Sequence, residues 1–207
     1  MRYLVLSDLH GATEELAKAL TYFDKYQGDY LVLLGDLLNH GPRNPVPGSY
    51  APPKVSEMLN QMHDKVISVR GNCDSEVDSM MFNFPCNAPY HIILVPNPQG
   101  ADETGRTKVQ KLFLTHGHLY KIDNEDHDKA IELRNKIGLK ENDIVLSGHT
   151  HIAGVFVKTN GLINVNPGSP ILPKGGTKAG FALILEDRIE CRDLDDNLVA
   201  SHTFIFS

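Results

Sequence analysis

The chain has 207 residues, with 20 Lys and Arg against 26 Asp and Glu, a formal net charge of −6, and 41% hydrophobic and 22% charged residues. This balance describes an ordinary soluble globular protein, and an acidic one is poorly suited to holding nucleic acid through phosphate contacts, which need Lys and Arg. No apolar run approaches the roughly 20 residues of a bilayer span. The apolar start, residues 1–7, is too short for a secretory core and runs straight into Asp8 and His10. No membrane partner is expected, and the expected location is the cytoplasm.

The elements follow in chain order. Residues 2–7 and 30–35 are short apolar runs that each end at an acidic residue, as strands. Between them Thr13 is the expected N-cap of a helix running to about residue 26, with Glu14 and Glu15 in its first turn. A helix over 54–63 and a strand over 65–69 repeat the cycle, which predicts βαβ units and a largely parallel sheet. Loop 39–53 holds five prolines and cannot be regular structure. It is either a surface connector or, since it follows Asp36, a wall of a site.

The second half reads as successive strands over 91–95, 111–115, 144–147, 154–159, 162–165, 181–186, 188–193 and 199–206. Asn160-Gly161 marks a hairpin, residues 96–108 an exposed hairpin loop, and 126–137 a helix closed by Gly138. The expected fold is α/β: two stacked mixed sheets flanked by helices, as one domain over 1–207. The three cysteines, Cys73, Cys86 and Cys191, form no C-x-x-C pair. They suit a reducing compartment and exclude a cysteine-only zinc site.

Five motifs stand at the ends of these strands: Asp8-Leu9-His10, Gly35-Asp36, Gly71-Asn72-Cys73-Asp74, Thr115-His116-Gly117-His118 and Gly148-His149-Thr150-His151. In extended chain, residues i and i+2 share a face, so D-x-H and H-x-H each aim two donors the same way. Carboxyl ends of strands beside glycines are where open α/β sheets place their sites. Oxygen and imidazole donors without thiolate pairs favour Mn²⁺, Fe or Zn²⁺. Seven donors (Asp8, His10, Asp36, Asn72, His116, His149, His151) are too many for one ion and suit two ions sharing a bridging carboxylate.

D-x-H, G-D, G-N, H-G-H and G-H-T-H in this order resemble the calcineurin-like metallophosphoesterases, over roughly Asp8 to Ser169. The stretch from Gly35 to Asn44, Gly71-Asn72-Cys73-Asp74-Ser75-Glu76 and Asn166-Pro167-Gly168-Ser169 are similar to the bacterial YfcE-type phosphodiesterases within that family. The resemblance implies a four-layer αββα sandwich. It implies that Asp8, His10, Asp36 and His151 hold one metal, and that Asn72, His116, His149 and the shared Asp36 hold the other. It also implies two divalent ions, Mn²⁺ first, with Zn²⁺, Fe or Ni²⁺ as the other ions such donors accept. The substrate expected is a small phosphodiester, cleaved in line by hydroxide bridging the ions, and self-association is in keeping with such relatives. Two dications, two carboxylates and a hydroxide sum to about +1, enough to draw a phosphate anion into an acidic chain.

Where the wider family has histidine after G-N, this chain has Cys73. A thiol with a reference pKa near ~8.5 is a poor acid at neutral pH and brings no positive charge. Cys73 is therefore either a small pocket-lining residue or a weak catalytic one, and leaving-group help falls to His118 or is absent. Asp36, Asn72, His118 and Cys73 are the candidate catalytic residues. Arg43 and Arg70 either steer phosphate or are solvated, Ser169 is a structural turn residue beside the site, and His40, His63, His91, His127 and His202 read as ordinary histidines. Two rivals stand beside the diesterase. One is a phosphoprotein or dinucleoside polyphosphate phosphatase, disfavoured by Asn39-His40-Gly41, where such enzymes carry Asp-Arg-Gly. The other is a non-catalytic scaffold like the retromer subunit Vps29, disfavoured by the complete donor set.

Overall fold

The computed structural model describes residues 1–120 and 126–207. β1 (Tyr3–Leu6), α1 (Thr13–Lys25), β2 (Tyr30–Leu33), α2 (Pro52–Asn60) and β3 (Val66–Ser68) form the expected alternating segment, with the three strands parallel. β4 (His91–Ala101) and β5 (Thr107–Leu114) form a long hairpin. α3 (His127–Lys136), β6 (Ile144–Leu146), β7 (Gly154–Val157) and β8 (Ile163–Asn166) follow, and β9 (Gly180–Ile184), β10 (Arg188–Asp193) and β11 (Leu198–Thr203) complete the chain. The strands assort into two mixed sheets, β11-β10-β9-β1-β2-β3 and β4-β5-β6-β8-β7.

Side-chain alternation along the strands assigns the layers. In β1, Leu4 and Leu6 join a core with Leu16, Ala19 and Phe23 of α1 and Val55 and Leu59 of α2. Tyr3 and Val5 point the other way, into a core shared with Leu112, Leu114, Ile144, Leu146, Ile163 and Val165 of the second sheet. That second sheet alternates too: Phe113 and Val145 face outward, packed with Leu139 and Leu162 beside α3. The strands are apolar on both faces because both faces are covered. The order of layers is helix, sheet, sheet, helix.

Three boundaries differ from expectation. Thr13 is the first residue of α1 rather than its cap, because its hydroxyl donates to Ser49 O (2.9 Å) and ties the helix to the proline-rich loop. α2 begins at Pro52 and Pro53, which occupy first-turn positions where a missing N–H costs nothing. Residues 96–108 are mostly strand: β4 continues through Pro96 and Pro98 to Ala101, leaving a turn over 102–106 organised by the Asp102 carboxylate. β4 is an edge strand, where proline removes no needed ladder hydrogen bond. The hairpin signal at Asn160-Gly161 is met between β7 and β8, and Asp126 caps α3.

Among the described residues no helix is long and apolar enough to cross a membrane. Phe113 is 1% exposed and stacks on Tyr90 at 5.1 Å between ring centroids. Phe113→Ala is expected to destabilise the protein by about 3–5 kcal/mol in urea unfolding, through lost contacts and an unfilled cavity.

Candidate metal centre

The donors arise from the carboxyl ends of strands in both sheets. Asp8 and His10 follow β1, Asp36 follows β2 and Asn72 follows β3; His116 follows β5, while His149 and His151 follow β6. Asp8 (φ 55°), His10 (48°), Asp36 (54°), His149 (66°) and His151 (59°) all lie in the left-handed backbone region. Asp and His tolerate that region better than most side chains, at a cost on the order of 1–3 kcal/mol each. These left-handed turns shape the Asp8–His10 and His149–His151 stretches, whereas His116 and His118 lie outside that backbone region.

Two glycines allow this close approach. At Gly71 a Cβ would collide with the Asp36 carboxylate and amide, and at Gly148 with Ser7 Oγ and Asp8 Oδ2.

Hydrogen bonds to the backbone fix how each ring points. His10 Nδ1 donates to Asn39 O (2.7 Å), His116 Nδ1 to Leu34 O (2.8 Å) and His151 Nδ1 to Leu172 O (2.7 Å). A carbonyl only accepts, so in each ring Nδ1 carries the hydrogen and Nε2 faces the centre. There His10 Nε2 and His151 Nε2 lie 3.3 Å apart. Asp8 Oδ1, completely buried, accepts no hydrogen bond and sits 3.2 Å from His151 Nε2 and 3.9 Å from both His10 Nε2 and His116 Nε2. Asp36 Oδ2 lies 3.4 Å from His116 Nε2 and 4.0 Å from His10 Nε2.

Lone pairs therefore face lone pairs across a buried space, an arrangement that positive charge must stabilise. Within about a metal's reach, donors cluster as Asp8–His10–His151, Asp8–Asp36–His116 and His10–Asp36–Cys73. The donor set fits divalent cations.

The remaining donors differ in place. Asn72 is exposed, with its Oδ1 3.0 Å from His116 Nε2. His149 is half-buried and joins none of the tight clusters, but its ring stands 5.2 Å from that of His116 and its amide donates to Asp8 Oδ2 (3.0 Å). Asp8 Oδ1 approaches His116 as well as His10 and His151.

Burial opposes ionisation of Asp8 and Asp36, yet the neighbouring imidazoles overcome it and hold both carboxyls below the usual carboxylate range. Burial likewise opposes charge on His116, but Asp36 and Asp8 raise it to about 9. In the metal-free protein a proton thus occupies part of the place suited to a cation. Burial and the nearby Asp36 push the Cys73 thiol up to about 12, so at neutral pH it is an uncharged SH. Burial, then the neighbouring His116 and His149, lower His118, which stays neutral. His118 Nδ1 is buried without a hydrogen-bond partner, and the ring lines a second, smaller cavity with Arg70, Asn72 and Leu119.

Of the residues that hold the donors in place, only Ser169 had a role assigned from sequence. Asp74 accepts from the amides of Asp36 (2.9 Å), Leu37 (2.9 Å) and Gly71 (2.6 Å), locking the Gly35-Asp36 turn to the Gly71-Asn72 turn. Asn39 Nδ2 donates to Cys73 O and Asp78 Oδ2 while its own carbonyl orients His10. Asn166 Nδ2 donates to Gly148 O and Thr150 Oγ1. Ser169 Oγ donates to Asp8 O and accepts from the Leu172 amide, as its structural reading requires. Arg70 donates to Asp74 O, a structural contact rather than a free one. Asp74 stood inside a quoted motif, which was its only local signal.

The proline-rich loop is a wall. Residues from Asn39 to Pro45, with Tyr50, line a cleft of about 1190 Å³ that opens onto Asp36, Asn72, Cys73, His149 and His151.

A profile of the calcineurin-like phosphoesterase superfamily domain matches residues 1–188. The chain belongs to that superfamily. It is 38% identical over 205 residues to phosphodiesterase YfcE of Escherichia coli K12, covering 99% of this chain and 98% of that one. The solved structure of E. coli YfcE, a phosphoesterase, superposes with a TM-score of 0.82 at 37% identity, covering 99% of this chain and 100% of the other. Vps29 of Chaetomium thermophilum superposes with a TM-score of 0.58 at 16% identity, covering 99% of this chain and 100% of that one, and shares the fold alone.

Two outcomes follow for the metal-free protein. His116, raised from about 6.5 unfolded to about 9 folded, contributes stability that is fully present below the unfolded value and lost as pH rises through the folded one. Urea midpoints should therefore fall between pH 6.5 and 9 in chelator-treated protein and stay flat in protein saturated with divalent metal. Asp74→Asn, which sets an amide group against three backbone donors, should cost about 2–3 kcal/mol in the same assay.

Proposed function

We propose that the protein is a metal-dependent phosphodiesterase built on a binuclear centre. In this reading Asp8, His10, Asp36 and His151 hold one ion, and Asn72, His116, His149 and the shared Asp36 hold the other, with Mn²⁺ as the ion in use. The observation that carries it is the convergence of carbonyl-anchored imidazoles on two buried carboxylates, one of which has an oxygen with no hydrogen bond. The relative named phosphodiesterase supports the diester as substrate. Divalent ions in such a centre supply Lewis acidity toward phosphoryl oxygens and bring the pKa of water close to neutrality.

The chain's own residues do the rest. Asp8 and Asp36 offset part of the ions' charge, and the three backbone carbonyls hold the rings so that no reorientation accompanies binding. Asn72, Cys73 and His149, on the solvent side, are where an incoming diester meets the protein. Neither Cys73 nor His118 carries positive charge at neutral pH, so leaving-group protonation is weak. The design suits diesters with good leaving groups. We further propose that all 207 residues act as one domain in the cytoplasm. A core joining Tyr3 to Phe204 through both sheets supports the first statement, and three free cysteines support the second.

Chelator treatment should abolish hydrolysis of bis-p-nitrophenyl phosphate and Mn²⁺ should restore it, with two ions per chain by elemental analysis. Asp36→Asn and His149→Ala should each lower kcat/KM by at least about 10²-fold. Wild-type activity without added or bound metal, or undiminished turnover in both variants, overturns the reading. Across aryl diesters the rate should rise steeply with leaving-group acidity; a flat dependence would mean that a protein acid is at work.

A further inference from the structure

The cleft in front of the donors has a charge character opposite to that of the chain. Among the described residues lining it, Asp36 is the only carboxylate, whereas Arg43 and Lys174 are both cationic. The protein carries a net charge of −6. Part of its positive charge elsewhere is committed: Arg2 to Glu186, Lys18 to Asp195, Lys25 to Asp196, Lys178 to Asp193, and Arg188 and Arg192 to Glu190. Among the described residues, the side chains of Arg43 and Lys174 have no hydrogen bond or ion pair.

Both are nevertheless carried on backbone tied to the centre. Lys174 N donates to His151 O at 3.0 Å. Arg43 lies in a turn closed by Asn44 N to Gly41 O (3.3 Å) and Asn44 Nδ2 to His40 O (2.9 Å), and a Cβ at Gly41 would meet the Cys73 sulfur. Prolines on both sides, Pro42 and Pro45, restrict this turn further. Two unspent cations on braced backbone, facing a cleft shared with the donors, are placed to receive an anion that the metal centre does not.

We infer that Arg43 and Lys174 form a subsite for a second phosphate group carried on one arm of the diester, so that the preferred substrate resembles a nucleotide ester ending in a phosphomonoester. The inference rests on the phosphodiesterase reading above. The scissile diester brings one negative charge, which the centre's net positive charge answers. A terminal phosphomonoester brings nearly two more, with three acceptor oxygens that match the guanidinium fork and an ammonium.

The test compares the Mn²⁺-loaded wild type on the p-nitrophenyl ester of thymidine 5′-phosphate with and without a 3′-phosphate. The phosphorylated ester should be favoured about tenfold in kcat/KM. The preference should shrink as ionic strength rises, and should disappear in the double variant Arg43→Glu/Lys174→Glu. Equal kcat/KM for the two esters in the wild type, or an unaltered ratio in the double variant, overturns the subsite. Bis-p-nitrophenyl phosphate, with Asp36→Asn as blank, separates the two levels: loss of that hydrolysis condemns the diesterase reading, whereas its persistence beside an absent preference condemns the subsite alone. Equilibrium dialysis of thymidine 3′,5′-bisphosphate against thymidine 5′-phosphate reads the subsite without turnover, and equal affinities overturn it.

Discussion

The structure turns on one electrostatic problem: imidazole nitrogens and carboxylate oxygens brought together with their lone pairs inward, at the buried floor of a cleft. Three histidines spend their Nδ1 hydrogens on Asn39, Leu34 and Leu172 carbonyls, which leaves Nε2 no freedom to turn away. Such a group is costly alone and favourable around cations, because burial magnifies both the repulsion and its relief. The raised affinity of His116 for a proton is the metal-free protein's partial answer to the same problem.

Much else follows from keeping that constellation rigid. The left-handed turns at Asp8, His10, Asp36, His149 and His151 are a standing cost borne by the surrounding packing. Asp74, Asn39, Asn166 and Ser169 fasten these turns to neighbouring parts of the chain, with hydrogen bonds to Asp36, Cys73, Thr150 and Asp8. A site assembled this way owes its precision to residues that never meet a substrate.

The layers and the donors were legible in the sequence because both depend on local spacing. Leu4 and Leu6 against Tyr3 and Val5 are a period-two signal, and the donor motifs stand at strand ends, although left-handed turns rather than extended chain aim Asp8 with His10 and His149 with His151. What escaped notice depends on partners distant in sequence. Thr13 reads as a cap until Ser49 takes its hydroxyl. Pro96 and Pro98 read as loop unless β4 is known to be an edge strand. Asp74 matters because amides 37 and 38 residues away point at it, which no local pattern announces. The approach of Asp8 to His116 likewise emerges only when the ends of β1 and β5 are brought face to face.

The first sheet alone brings together only a partial donor group, His10–Asp36–Cys73, and the full donor set needs both sheets. Asp8, His10, Asp36 and Asn72 are carried by the first, and His116, His149 and His151 by the second. On a ribosome, where the amino-terminal part emerges first, the full donor set is complete only after residue 151 has left the exit tunnel and the two sheets have stacked. Completion of the donor set is then a late event of biogenesis, tied to the finished tertiary arrangement.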